Sequence, residues 1–164
     1  MRQDDTDARW FIDKQPLNFL HVELILALFP QARIVHCRRN ARDTALSIWM
    51  QYFAGPELGF ACDFADIAAV AQGCERLMAA AHRRHVAAIH EVRYEALVQD
   101  PDRVIGTLAR WIGLDAAVEP EASTPVVIST SSAWQARQPV HARWVARGRA
   151  YEEVVAELLG FPDA

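Results

Sequence analysis

Two short β-rich runs, separated by helix-like sequence, place the tightest constraint on how this chain folds. The runs are ARIVHC (32–37) and AIHEVRY (88–94), and apolar residues recur at helical spacing between them. Strands that alternate with helices are joined by crossovers, which favour parallel pairing. The sequence therefore predicts an α/β fold with a parallel sheet. In such sheets, ligands bind at the carboxyl ends of the strands.

Capping residues mark where three helices are expected to begin. Asn40 and Asp63 are N-cap residues that each precede an apolar periodic segment. Asp100 followed by Pro101 is a third start signal, and Gly113 is the expected end of that helix. Further expectations are a short buried strand over 9–13, a core stripe of Leu17, Leu20, Leu24 and Leu28, a loop over 114–139 and a helix over about 147–159.

Composition restricts the class of protein. The 164 residues carry a net charge of −4 and are 52% hydrophobic, as expected for one globular domain over 1–164. The acidic balance disfavours a protein that coats nucleic acid. Three cysteines without a CxxC motif predict a reducing compartment and no metal site. Because no apolar run is long enough to span a bilayer, we expect a cytoplasmic protein without a membrane partner.

Three arginines cluster where the first β-rich run passes into a helix. Arg38, Arg39 and Arg42 flank the Asn40 cap, and Ser47 lies further along the same helix. Guanidinium groups near the outward-pointing N–H groups of a helix start can bind an anion. From spacing alone, the alternative that these are solvated charges at a strand end has equal weight.

The sequence RRNARDTALS (38–47) resembles the 3′-phosphate-binding segment of sulfotransferases. DKQPLNFLHVELILALFPQARIVHCRR resembles the segment that leads into it in bacterial and tyrosylprotein sulfotransferases. VRYEALVQDP and STSSAWQARQPV are similar to two later nucleotide-contacting segments of the family, in the same order. The closest similarity is to sulfotransferase domains that bacteria attach to tetratricopeptide repeats.

The resemblance implies a role for six residues. Arg39 and Ser47 would bind the 3′-phosphate of 3′-phosphoadenosine 5′-phosphosulfate, the sulfuryl donor. Lys14 would be catalytic, stabilising charge on the oxygen that bridges to sulfur. The remaining implied nucleotide contacts are Tyr94, Ser132 and Arg137, the last beside Gln138, where tyrosylprotein sulfotransferases have lysine.

The resemblance also implies a fold and a reaction. The fold would be the three-layer α/β/α architecture of P-loop nucleotide kinases, with parallel strands. The reaction would transfer a sulfuryl group to a hydroxyl or amine of a small-molecule or peptide acceptor, without a metal. The sequence does not identify that acceptor, because acceptor contacts come from variable loops.

The chain departs from the family pattern in one motif. The family begins with a strand and a glycine-rich loop that holds the 5′-phosphosulfate, and no such loop occurs among the seven glycines here. We therefore expect a truncated domain that is inactive alone. The alternative function is a non-catalytic remnant that keeps only the 3′-phosphate and adenosine half-site. The two β-rich runs are also expected to be unable to pair as in the intact fold, or to leave between them a gap or an exposed edge through which the chain could associate.

Overall fold

The computed structural model describes residues 10–51, 53, 55–114 and 141–162. The described helices are α1 (Val22–Leu28), α2 (Ala41–Trp49), α3 (Phe64–Arg84), α4 (Tyr94–Gln99) and α5 (Pro101–Ile112), and the strands are β1 (Ile34–Arg38) and β2 (Ile89–Arg93). Short 3-10 helices cover Pro16–His21, Pro56–Cys62, Ala142–Trp144, Gly148–Tyr151 and Ala156–Gly160.

The two strands are direct neighbours in a parallel sheet. The register runs from Ile34 opposite Ile89 to Arg38 opposite Arg93. This confirms the predicted α/β class with parallel strands. The expectation that the two runs would fail to pair, or leave a gap, is wrong, because all five residues of each strand are in register. The three-layer P-loop-like architecture remains a prediction, since the described sheet has only these two strands.

The predicted caps are confirmed by hydrogen bonds. The Asn40 side chain accepts from the N–H of Asp43, at 3.1 Å, and begins α2. Asp63 caps α3, and Asp100 caps α5. Gly113 ends α5 with a φ of 88°, a left-handed conformation that favours glycine. Within the described ranges, no helix combines the length and the apolar character that a membrane crossing requires.

Two apolar clusters form the described core. One joins α1, α3 and β2 through Val22, Leu26, Met78, Ala81 and Ile89. The other joins α2, α3 and the C-terminal residues through Ala45, Leu46, Ile67, Leu158 and Phe161. The second cluster anchors the C-terminal residues against α2, and α2 follows directly from β1. It therefore holds two parts of the chain that are distant in sequence at the same end of the sheet.

Most of the predicted leucine stripe faces solvent, so the expectation that it forms part of the core is wrong. Leu20, Leu24 and Leu28 are 55%, 56% and 64% exposed, whereas Val22 and Leu26 are buried. Apolar residues lie on more than one face of this segment, so their spacing did not decide which face packs. Contact with α3 and β2 selects the Val22–Leu26 face.

Two other element predictions are also wrong. Residues 10–13 form no strand, and Trp10, Phe11 and Ile12 are exposed. The helix expected over 147–159 is replaced by two short 3-10 helices. Between them Val155 has a φ of −122° and a ψ of 83°, which interrupts the helical hydrogen bonding.

His36 lies on β1, opposite Glu91 of β2. Burial lowers the pKa of His36 from its usual value of 6.5. Glu75 and Glu91 oppose this shift by favouring the charged imidazole, while Arg38 and His82 reinforce it. The protein therefore favours a neutral His36.

We expect His36 to make the fold less stable in mild acid. Its pKa is depressed in the folded state, so the unfolded chain binds the proton first. The free energy of unfolding should fall as pH drops through about 6.5 and be insensitive to this group above it. Urea unfolding at two pH values on either side would measure this. His36→Gln should lose less stability on acidification than the wild type, while His21→Gln, at an exposed position, should behave like the wild type. An equal loss in His36→Gln would contradict the assignment.

Candidate functional site

The carboxyl ends of β1 and β2 meet at one edge of the sheet. β1 ends at Arg38 and β2 at Arg93, and each strand is followed almost at once by a helix. The two strand ends are joined by Glu95, whose Oε1 accepts from the backbone N–H of Asn40 at 2.7 Å. Parallel pairing therefore places the start of α2 beside the start of α4.

Arg39 lies at the centre of this edge. Its guanidinium carbon is 5.1 Å from the centre of the Tyr94 ring, within range of a cation–π contact. Its Nη2 donates to the carbonyl of Trp144 at 2.5 Å and is 3.7 Å from Oδ2 of Asp43. The Arg39 side chain is 22% exposed, so it remains partly accessible to solvent.

Residues 141–151, here called the C-terminal strap, cross the start of α2. The hydroxyl of Tyr94 donates to the carbonyl of His141 at 3.4 Å, and the N–H of Gly148 donates to Oδ1 of Asp43 at 2.6 Å. Ala146, two residues before Gly148, has a φ of 57°, which is uncommon for a residue with a Cβ atom. The strap is thus held to the sheet edge by backbone groups from both of its ends.

Unsatisfied polar atoms concentrate at this edge. Within the described residues, the buried side-chain atoms without a hydrogen-bond partner are Arg39 Nε, Asp43 Oδ2, Glu95 Oε2 and His141 Nδ1. Buried polar groups are normally hydrogen-bonded, because an unmet group costs about 1–3 kcal/mol. All four atoms belong to residues that contact Arg39, Tyr94 or the start of α2. This concentration favours a ligand-binding site over a purely structural corner.

The three clustered arginines have different roles. Arg38 points to the α3 side of the sheet, where it binds Glu75 at 3.1 Å and Glu91 at 3.3 Å. Arg42 donates to the carbonyl of Phe161 at 2.9 Å and pairs with Glu152. Both therefore connect parts of the fold. Of the three, Arg39 is the one placed among the unsatisfied atoms.

The other sequence-predicted residues occupy different situations. Ser47 is exposed and follows Asp43 by one helical turn, so it lies on the same side of α2. Tyr94 contacts Arg39 directly. Lys14 is exposed in the irregular residues before the 3-10 helix Pro16–His21. The roles assigned to Ser132 and Arg137 fall outside the described residues.

Sequence reasoning missed three residues of the site. An acidic residue in the first turn of a helix is ordinarily expected to favour the helix dipole, but Asp43 is 2% exposed and binds the strap. Glu95 and Gly148 carried no signal, because their partners are 55 and 105 residues away. The only available indication in the sequence was that a charged residue, Asp43, lies beside the predicted anion site.

Comparisons with known proteins show a family to which the chain is similar. The family model described as "Sulfotransferase family" matches residues 1–119, which include both strands, Arg39, Ser47 and Tyr94. An uncharacterized protein of Aquifex aeolicus (strain VF5) is 31% identical over 160 residues. That match covers 94% of this chain, and the chain spans about a fifth (21%) of the relative's length. No solved structure matches the chain significantly.

We expect Gly148→Ala to destabilise the strap. A Cβ atom at this position would lie 2.9 Å from Cβ of Arg42 and 3.2 Å from the backbone nitrogen of Asp43. The strap would have to move, which should cost about 1–3 kcal/mol of unfolding free energy. Urea denaturation measures the change, and Gly160→Ala is the control, because no atom lies within 4 Å of a Cβ built there. Equal stability of the two variants would refute the close packing of Gly148.

Proposed function

The chain belongs to the sulfotransferase family, and we propose that it takes part in sulfuryl transfer from 3′-phosphoadenosine 5′-phosphosulfate to a hydroxyl or amine acceptor. The carboxyl edge of β1 and β2 would bind the nucleotide through its 3′-phosphate. The family match supplies the reaction class, and the contacts at this edge supply the reason to place the nucleotide there.

The observation that carries this proposal is the Nε–H group of Arg39, which has no hydrogen-bond acceptor in the part of the chain that the structure describes. Arg39 Nε is a buried N–H group without an acceptor among the described residues, and it belongs to a residue that can bind phosphate in a planar, two-pronged manner. A phosphate oxygen would satisfy it. The residues present therefore fit a phosphate-bearing ligand.

Ser47 and Tyr94 extend the proposed binding site on two sides of Arg39. Ser47 offers an exposed hydroxyl one turn beyond Asp43, where it would donate to the same phosphate. Tyr94 supports the guanidinium with its ring and is held by its hydroxyl to the strap. We assign Tyr94 to the adenosine side of the nucleotide.

Three further assignments follow from the family resemblance. Lys14 would stabilise the negative charge that develops on the bridging oxygen when the bond to sulfur breaks. Ser132 and Arg137 would contact the nucleotide from the segment before the strap. No metal is required for these roles.

The chain's own contribution would be positioning and charge stabilisation. The bound nucleotide supplies the sulfuryl group, which passes to the acceptor oxygen or nitrogen. Arg39 and Ser47 would fix the 3′-phosphate and hence the orientation of the nucleotide, and positioning of this kind lowers barriers without covalent chemistry. Lys14 would act on the leaving group electrostatically.

Replacing Arg39 should weaken nucleotide binding. We expect Arg39→Ala to lose about 1.5–3 kcal/mol of affinity for adenosine 3′,5′-bisphosphate, the scale of a hydrogen bond to a charged group, and Ser47→Ala to lose less. Isothermal calorimetry measures both. The control is Arg33→Ala at the other end of β1, because Arg33 likewise donates to a carbonyl, that of Ala87, and stacks on an aromatic ring, that of Trp111.

The control separates a lost binding contact from a lost structural one. Arg33→Ala should bind the bisphosphate as the wild type does. If Arg39→Ala also binds normally while its circular dichroism is unchanged, the nucleotide assignment is wrong. Binding by the wild type with turnover of 3′-phosphoadenosine 5′-phosphosulfate would identify a catalytic chain, whereas binding without turnover would identify the non-catalytic alternative.

A further inference from the structure

We propose that Asp43 is the positioning residue of the anion site, orienting Arg39 for the 3′-phosphate and tying that arginine to the C-terminal strap. This inference rests on the proposed function and adds a residue to it. Asp43 would not touch the nucleotide. It would act through Arg39 and through the N–H of Gly148.

The burial of Asp43 requires an explanation. It is the one buried charged residue in the described core, at 2% exposure. A buried carboxylate is costly unless hydrogen bonds and an opposite charge compensate for it. Gly148 supplies the hydrogen bond, at 2.6 Å, and Arg39 supplies the charge.

In the part of the chain that the structure describes, Gly148 and Arg39 leave one carboxylate oxygen of Asp43 without a hydrogen bond. The Arg39 Nη2 to Asp43 Oδ2 distance of 3.7 Å is an ion pair but is too long for a hydrogen bond. Asp43 Oδ2 and Arg39 Nε are both without a hydrogen-bond partner within the described residues. Asp43 therefore attracts the guanidinium without using up its Nε–H group. An arginine held in this way is oriented and keeps one N–H group that no described residue accepts from.

Asp43 also links Arg39 to the strap. One carboxylate oxygen accepts from Gly148, while the other faces Arg39, whose Nη2 in turn donates to Trp144 of the same strap. Asp43, Arg39 and the strap therefore each contact the other two. An anion that binds Arg39 would thus bind a residue that already contacts Trp144 directly and Gly148 through Asp43.

A purely helical role for Asp43 is the main rival explanation. An acidic residue in the first turn stabilises any helix by complementing its dipole. Asp66 allows a direct comparison, because its N–H donates to the Asp63 cap at 3.1 Å, as that of Asp43 does to Asn40. Asp66, however, is exposed. The two aspartates thus share the helix position and differ in burial and partners.

The test compares Asp43→Asn with Asp66→Asn in the full 164-residue chain. Asparagine at position 43 keeps an oxygen for Gly148 but removes the charge that attracts Arg39. We expect Asp43→Asn to weaken binding of adenosine 3′,5′-bisphosphate about tenfold, as for loss of a charge-assisted contact, and to leave binding of adenosine 5′-monophosphate unchanged. Asp66→Asn should change neither affinity.

A second measurement needs no nucleotide. The Nε–H resonance of Arg39, assigned with Arg39→Lys, should be resolved and slow to exchange in a proton–nitrogen correlation spectrum of the wild type and of Asp66→Asn. It should shift or collapse in Asp43→Asn. If wild-type Arg39 gives no such resonance, the proposal fails even where Asp43→Asn does not fold.

The outcomes separate this inference from the proposed function. Unchanged bisphosphate binding in Asp43→Asn would overturn the inference, since the carboxylate would then have no effect on the anion site. Tighter binding would also overturn it, since the carboxylate would then only repel phosphate. Equal weakening for both nucleotides would indicate a structural role and would also overturn it. If the wild type binds neither nucleotide, the proposed function fails, and the Arg39 resonance in Asp43→Asn alone decides whether Asp43 orients Arg39.

Discussion

The parallel pairing of β1 with β2 is the constraint on which the rest of the site depends. Five residues of each strand are in register, so both strands end at the same level of the sheet. Arg39 therefore leaves β1 beside Tyr94, which follows β2, and the ring and the guanidinium come into contact. A shift in register would separate them and would also break the bond from Asn40 to Glu95.

The three clustered arginines at this edge have different partners in the structure. Arg38 is the last residue of β1, whereas Arg39 lies beyond the strand, next to the start of α2. Arg38 meets the carboxylates of Glu75 and Glu91, whereas Arg39 meets one buried carboxylate that leaves a donor unused. In this run of like charges, Arg38 and Arg42 connect parts of the fold, and Arg39 is the one proposed to bind the nucleotide.

Local signals predicted the parts of the fold that depend on local interactions. The caps at Asn40, Asp63 and Asp100 were predictable because each cap bonds to a residue within three positions of it. The buried face of α1 was not predictable, because apolar residues lie on more than one of its faces and only packing against α3 and β2 selects Val22 and Leu26. Arg39 was assigned to the 3′-phosphate through a family resemblance. The role of Asp43 was missed, because its partner Gly148 is 105 residues away.

The separation of Asp43 from Gly148 also bears on how the protein acquires its site. Closing a loop of this length costs entropy, and contacts between distant residues generally form late in folding. The sheet edge can be complete before the strap arrives, since β1, α2 and β2 all precede it in sequence. Fraying of the C-terminal residues would then remove the contacts of the strap with Arg39, Tyr94 and Asp43 while leaving the sheet folded, as happens when a region opens on its own. A ligand that engages Arg39 would accordingly stabilise the C-terminal end of the chain more than its centre.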